Sequence, residues 1–167
     1  QNLSRRFKNN IYLKREDLQE VFSFKIRGAY NKMQLLTKEQ LSKGVITSSA
    51  GNHAQGVALS ALRLKTKATI LMPITTPIVK VKAVRELKAE VILFGDNYDE
   101  SYIEAQRLSL ERELSFIHPF DDPDVIAGQG TIGVELLNQL KDPPDAIYVA
   151  VGGGGLIAGI SIYIKNL

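Results

Sequence analysis

The residue of this sequence best placed for chemistry is Lys25, in the stretch Ser23-Phe24-Lys25-Ile26-Arg27-Gly28-Ala29. Phe24 and Ile26 flank it with apolar surface, and a segment with helical spacing follows directly. Burial against apolar surface disfavours the ammonium form and lowers the pKa toward that of an amine nucleophile or base. The plain alternative is a surface lysine whose stem lies on apolar neighbours while its charge stays in water. Two further stretches tip the reading toward chemistry. Ser48-Ser49-Ala50-Gly51-Asn52-His53-Ala54-Gln55-Gly56 and Gly152-Gly153-Gly154-Gly155-Leu156 are glycine-bearing loops that open helices, and backbone N–H groups at helix starts bind anions.

Gly152 to Gly155 follow an apolar run, so closely spaced N–H groups face a ligand with no side chains between. A phosphate suits that loop. A dinucleotide is the rival, because Gly153-Gly154-Gly155-Leu156-Ile157-Ala158 matches G-x-G-x-x-A. The acidic residue that such a site uses about 20 positions on falls beyond Leu167. Close packing of helix on strand is the third reading. A second formal match, Gly128-Gln129-Gly130-Thr131-Ile132-Gly133, has no strand before it. It reads as a helix start whose small residues permit close packing.

In the other loop, Ser49, Ala50 and Gly51 present backbone N–H groups toward a bound carboxylate. Asn52 can donate to a phenolic or carboxylate oxygen without titrating. His53 is a general base or, at a helix start, a structural hydrogen-bonding group; the second is favoured. His118, beside Pro119, reads as structural. Two separated histidines and no cysteine make no metal constellation.

Strands and helices must hold these loops in place. Apolar runs at 10–14, 45–48, 68–72, 91–94, 116–117 and 146–151 predict six strands. Between them, Ala29, Met33 and Leu36 repeat at helical spacing from Gly28 onward, and Thr37 with Gln40 signs a capping box for a helix that stops at Gly44. Ala54, Val57, Ala58, Ala61 and Leu62 mark another helix face. Thr76-Pro77 reads as an N-cap followed by proline at the first helical position, Asn97 with Glu100 caps a helix running toward Glu113, and Ile132, Leu136, Leu137 and Leu140 mark one broken by Pro143-Pro144. The alternation predicts an α/β fold of parallel sheets with helices on both faces and right-handed crossovers. Sites in such folds sit at the carboxyl ends of strands, where both glycine loops fall.

At 167 residues, 44% hydrophobic and 23% charged, the chain has the composition of a globular protein. No apolar run approaches the roughly 20 residues that span a bilayer, and the first residues show no signal-peptide core, so no membrane partner is expected. Without cysteine there is no disulfide, thiolate metal site or cysteine nucleophile, and a cytoplasmic location is expected. The net charge of +3 balances 21 basic against 18 acidic residues. Lys80, Lys82, Arg85 and Lys88 oppose Ile78, Val81, Val84 and Leu87 on one helix, which makes them a solvated face. With no aromatic interleaving, no nucleic-acid partner is expected.

A lysine before a helix, an asparagine-bearing carboxylate loop and a tetraglycine loop together resemble the fold-type II pyridoxal-phosphate enzymes, of tryptophan synthase beta-like fold. Among these the chain is most similar to the biosynthetic threonine dehydratases. Lys14-Arg15-Glu16-Asp17, Ser23-Phe24-Lys25, Arg27-Gly28-Ala29-Tyr30, the run from Ser49 to Ala58 and Gly152-Gly153-Gly154-Gly155-Leu156 carry the resemblance along nearly the whole chain. It implies pyridoxal 5'-phosphate as cofactor, Lys25 in Schiff-base linkage to it and Phe24 near its ring. It further implies Asn52 on the phenolic oxygen, and Gly152, Gly153, Gly154, Gly155 and Leu156 at the phosphate. Ser49, Ala50, Gly51, Asn52 and His53 would receive the substrate carboxylate.

The implied reaction is that of a threonine ammonia-lyase. The Lys25 amine takes the Cα proton, hydroxide or water leaves Cβ, and hydrolysis yields 2-oxobutanoate and ammonia, the route into isoleucine synthesis. Serine in place of threonine would give pyruvate. A serine dehydratase or racemase of the same fold, and a catalytically silent segment, are the alternatives. Catalytic domains of this family continue past the tetraglycine helix. The resemblance therefore implies a fragment of a homo-oligomeric enzyme, in which residues 1–46 and 123–167 form part of a large domain and 47–122 a small one. The group that meets the pyridine nitrogen is expected outside this chain.

Overall fold

The sheet that positions the site is built on one strand whose every residue is buried, Val45–Ser48. In this computed structural model, which describes residues 2–166, the helices in chain order are α1 (Asn2–Phe7), α2 (Lys25–Gln34), α3 (Lys38–Lys43), α4 (Asn52–Leu64), α5 (Ile78–Glu86), α6 (Tyr98–Glu111), α7 (Pro123–Gln139) and α8 (Gly155–Lys165). The strands are β1 (Val45–Ser48), β2 (Ala68–Met72), β3 (Glu90–Leu93) and β4 (Ser115–Phe116). Gln1 and Leu167, the outer ends of the expected domain ranges, lie outside the described residues.

The four strands form one parallel sheet in the order β3-β2-β1-β4, with Val45 opposite Ala68, Ile70 opposite Val91 and Ile46 opposite Phe116. Alternate residues serve two layers. Val45, Ile70 and Met72 pack on one face with Val57, Ala58 and Ala61 of α4, Val81 and Val84 of α5, and Ala29 and Met33 of α2. Ile46 and Leu71 pack on the other with Ala105 and Leu108 of α6. Continuous apolar runs such as β1 and β2 are what parallel strands covered on both faces require. Helices on both faces of a parallel sheet are as the sequence predicts.

Local caps are also where the sequence places them. Thr37 Oγ1 accepts from Gln40 N–H at 3.2 Å while Gln40 Oε1 accepts from Thr37 N–H at 2.8 Å. Asn97 Oδ1 accepts from Glu100 N–H at 3.0 Å.

Elsewhere the structure corrects the sequence reading. Residues 10–14 and 146–151 are not strands, since a strand needs a neighbouring strand to bond, and among the described residues neither run has one. Tyr12, Leu13, Tyr148 and Val151 are exposed there. Helix α2 begins at Lys25 rather than Gly28. Pro77 keeps an extended ψ of 135° and is itself the N-cap, so Thr76 is not. Helix α7 starts at Pro123, where Asp122 Oδ1 accepts from the N–H groups of Asp124 and Val125 at 2.9 and 3.1 Å. The Gly128-Gln129-Gly130 run is therefore interior to a helix, not its start. Its small residues do pack closely, because a Cβ at Gly128 would fall 2.6 Å from the Arg27 carbonyl oxygen of α2. Among the described residues no helix is long and apolar enough to cross a membrane.

Candidate active site

Lys25 is the first residue of α2, and its backbone N–H bonds Ser23 Oγ at 3.3 Å. Its side chain is half-buried. Nζ lies 2.5 Å from the Pro119 carbonyl oxygen, to which it donates, and 5.5 Å from the centroid of the Phe24 ring. Burial pushes the Lys25 pKa below its usual value, enlarging the fraction present as neutral amine. Helix α4 helps to enclose it: a Cβ at Gly56 would come 3.1 Å from the Lys25 carbonyl carbon, so glycine there lets α4 approach the start of α2.

A cleft of about 190 Å³ brings Phe24 and Lys25 against Gly152, Gly153, Gly154, Gly155 and Leu156. Three of the four glycines are required, one by its backbone and two by Phe120. Gly154 has a left-handed φ of 88°, a backbone that L side chains rarely adopt. A Cβ at Gly153 would fall 2.5 Å from Phe120 Cδ1, and one at Gly155 would fall 2.6 Å from the Phe120 carbonyl oxygen. At Gly152 and Gly154 the space is open. Helix α8 starts here with no side-chain cap, so its first N–H groups adjoin the cleft.

The other glycine loop is built differently. Ser49 N–H extends the β1–β2 pairing to the Leu71 carbonyl at 3.0 Å, Gly51 N–H bonds Ser49 Oγ at 3.2 Å, and Asn52 is exposed at the start of α4. His53 is buried, and its Nε2 donates to the Ile117 carbonyl at 3.0 Å. Burial is the main reason its pKa is pushed down to about 3, and among the described residues Nδ1 has no partner. A neutral imidazole committed to a backbone carbonyl is a structural group, as the sequence reading favours. Ser49, Ala50, Gly51, Asn52 and His53 do not line the 190 Å³ cleft. The lysine and the tetraglycine loop meet; the loop from Ser49 to His53 stands apart, connected to Lys25 through α4.

The whole chain, residues 1–167, matches the pyridoxal-phosphate dependent enzymes. The chain belongs to that family. It is 62% identical over 165 residues to threonine dehydratase 1, biosynthetic and chloroplastic, of Solanum lycopersicum, covering 99% of this chain and 27% of that protein. To the biosynthetic L-threonine dehydratase of Burkholderia multivorans it is 58% identical, covering 98% of this chain and 33% of the relative. Among solved structures, the processed form of threonine deaminase isoform 2 from S. lycopersicum superposes with a TM-score of 0.96 at 56% identity, over 99% of this chain and 46% of that one. Maize serine racemase superposes at 0.95 with 36% identity, over 99% and 50%. The chain thus spans between a quarter and a third of the length of these curated relatives, 27% and 33%, and about half of the solved chains.

The residues of this chain fit the cofactor that its family uses. They offer a partly desolvated amine, an aromatic ring beside it, and a glycine cradle open at two positions. Residues that sequence reasoning missed complete the cleft. Pro119 contributes only a carbonyl, which no side-chain pattern announces. Phe120 shapes the glycine loop. Gln129 lines the cleft from α7 and is buried, its Oε1 without a partner among the described residues; its one sequence signal was the glycines on either side. Arg27, two residues after Lys25, is held bidentately by Glu16 at 2.7 and 2.8 Å and by Glu135 at 2.6 and 2.8 Å. Arg27 first, then Lys14, holds the Glu135 pKa down to about 2 against the opposing effect of burial. This cluster ties the turn at Glu16, α2 and α7 together.

Proposed function

We propose that the protein is a threonine ammonia-lyase, converting L-threonine to 2-oxobutanoate and ammonia, with Lys25 as its catalytic amine. The observation that carries this reading is the half-buried Lys25 Nζ in one cleft with Gly152 to Gly155. Kinship with threonine dehydratases at 62% and 58% identity supports threonine as the substrate.

Bound pyridoxal phosphate would supply an electron sink for the charge left at Cα. The chain's own groups divide the remaining work. Backbone N–H groups of Gly152 to Gly155 would hold the phosphate, aided by the positive end of α8, with Leu156 beside it. Phe24 would pack near the ring, and Asn52 would donate to the phenolic oxygen. The N–H groups of Ser49 to His53, with Asn52, receive the substrate carboxylate, and His53 keeps that loop in place through Ile117. Lys25 Nζ, its neutral form favoured by burial, accepts the Cα proton. The Pro119 carbonyl fixes where that nitrogen sits.

The same reading divides the chain into a small domain at 47–122 and parts of a large one at 1–46 and 123–167. It is supported by β2, β3 and β4 falling inside 47–122, with β1 crossing its first boundary. It includes homo-oligomerisation, supported by exposed apolar side chains such as Tyr12, Leu13 and Tyr148. It also includes a cytoplasmic location, although relatives from tomato and Schizosaccharomyces pombe carry chloroplastic and mitochondrial names.

The test is to load the full-length protein with pyridoxal phosphate, reduce it with borohydride, map the modified residue by mass spectrometry and assay 2-oxo acid release. A single adduct at Lys25 with faster release from threonine than from serine is expected. An adduct elsewhere removes Lys25 from its role. Formation of D-serine, with little release from threonine, would favour a serine racemase.

A further inference from the structure

The segment that follows β4 reaches Lys25, His53 and the tetraglycine loop. The Ile117 carbonyl accepts from Thr47 Oγ1 at 2.7 Å and from His53 Nε2 at 3.0 Å. The Pro119 carbonyl accepts from Lys25 Nζ at 2.5 Å. Phe120 occupies the space that side chains at 153 and 155 would need. One side chain folds this segment: His118 Nδ1 accepts from the backbone N–H of Asp121 at 2.7 Å and from that of Phe120 at 3.3 Å. Nδ1 must therefore carry no proton, and in the neutral ring the proton sits on Nε2.

We propose that His118 is a positioning residue for the cofactor lysine: the turn closed on its Nδ1 aims the Pro119 carbonyl at Lys25 Nζ and seats Phe120 on the tetraglycine loop. This rests on the reading of Lys25 as the lysine that carries pyridoxal phosphate.

Protonating Nδ1 replaces the acceptor with a donor that faces two N–H donors, so the turn opens. The groups around the ring set when this happens. Burial lowers its proton affinity most; Asp121 and Asp122 raise it, Lys25 lowers it, and the net shift is downward from 6.5, while His53, which also feels the His118 charge, stays neutral down to about pH 3. Tyr102 of α6 stands edge-on at 6.0 Å, and the remaining aromatic neighbours, Phe116 and Phe120, at 6.3 and 4.8 Å, carry no charge. A downward shift keeps the turn closed at neutral pH and opens it only in acid. The aromatic contacts alone would be served by phenylalanine at 118. The acceptor would be served by asparagine, whose side-chain oxygen takes N–H groups two and three residues on.

The experiment measures the affinity of the full-length protein for pyridoxal phosphate by spectroscopic titration from about pH 5 to 9. It compares wild type with His118→Asn and His118→Phe, and borohydride reduction maps the adduct in each. Wild type is expected to lose about tenfold in affinity through the acidic step, the order of one or two lost hydrogen bonds. His118→Asn is expected to bind as wild type at neutral pH without that step, and His118→Phe about tenfold more weakly across the range. Steps common to wild type and His118→Asn belong to the cofactor phosphate, which ionises near pH 6, or to Lys25.

Identical pH profiles for wild type and His118→Asn overturn the proposal, as does wild-type affinity in His118→Phe. Should His118→Phe fail to fold, as circular dichroism would report, the wild-type and His118→Asn profiles decide alone. An adduct on a lysine other than Lys25 in wild type overturns the functional reading and this proposal together, whereas a Lys25 adduct with unmoved profiles overturns the proposal only.

Discussion

The Phe120 ring lies where a side chain at Gly153 would stand, with Cδ1 2.5 Å from an ideal Cβ built there. Two segments more than thirty residues apart in sequence therefore fit by the absence of one methyl group. Gly153→Ala should cost about 1–3 kcal/mol of stability, the usual range for overpacking, and weaken cofactor binding through the displaced loop. In a Phe120→Ala background the same substitution should cost markedly less. A double-mutant cycle by urea denaturation measures the coupling, and additive costs would show that the ring does not determine the glycine.

Lys25→Ala should abolish the borohydride-reducible adduct and 2-oxo acid release while leaving the fold intact. The substitution removes an amine that burial already disfavours as an ion, so thermal stability should hold or rise slightly. In the wild-type chain without cofactor, Lys25 should react with amine-directed reagents at lower pH than solvated lysines do. Competitive labelling followed across pH reads that midpoint directly. A midpoint equal to that of surface lysines would contradict the burial argument.

The parts of the site legible in the sequence are those whose physics is local. Thr37 with Gln40 and Asn97 with Glu100 bond within three residues, and the tetraglycine loop announces a backbone that no side chain may obstruct. Residues 10–14 and 146–151 look like strands because they are apolar, yet a strand is defined by its neighbour, a fact that lies outside the run itself. Pro119 was unreadable for a related reason. Its contribution is a carbonyl brought to Lys25 from 94 positions along the chain. His118 lay between these cases, since its bonds to Phe120 and Asp121 are local, but histidine is not among the residues whose turns are routinely read.

His53 makes acid stability testable. Its folded-state pKa of about 3 lies below the usual 6.5, so between those values the unfolded chain binds the extra proton. The stabilisation is fully present above 6.5 and is lost as pH falls through the window toward 3. The unpaired Nδ1 does not change this sign. His53→Gln, whose amide can still donate to the Ile117 carbonyl, should flatten the decline between about pH 6.5 and 4, an effect on the order of a few kcal/mol. Denaturant midpoints at several pH values check this, and parallel curves for both proteins would place the titration elsewhere.

Arg27 offers the last test, because it separates charge from geometry. Its guanidinium satisfies two carboxylates in parallel pairs, and both Arg27 and Glu16 are largely shielded, with side-chain exposures of 12% and 15%. Lysine keeps the charge but cannot form the two forked contacts at once. Arg27→Ala leaves Glu16 shielded without its guanidinium and should cost about 2 kcal/mol or more. Arg27→Lys should recover only part of that loss. Since Arg27 lies one helical half-turn from Lys25, both substitutions should also weaken cofactor affinity, and in the same order as they weaken stability. Equal stability of the lysine variant and wild type would mean that charge alone, and not the forked geometry, holds α2 to α7.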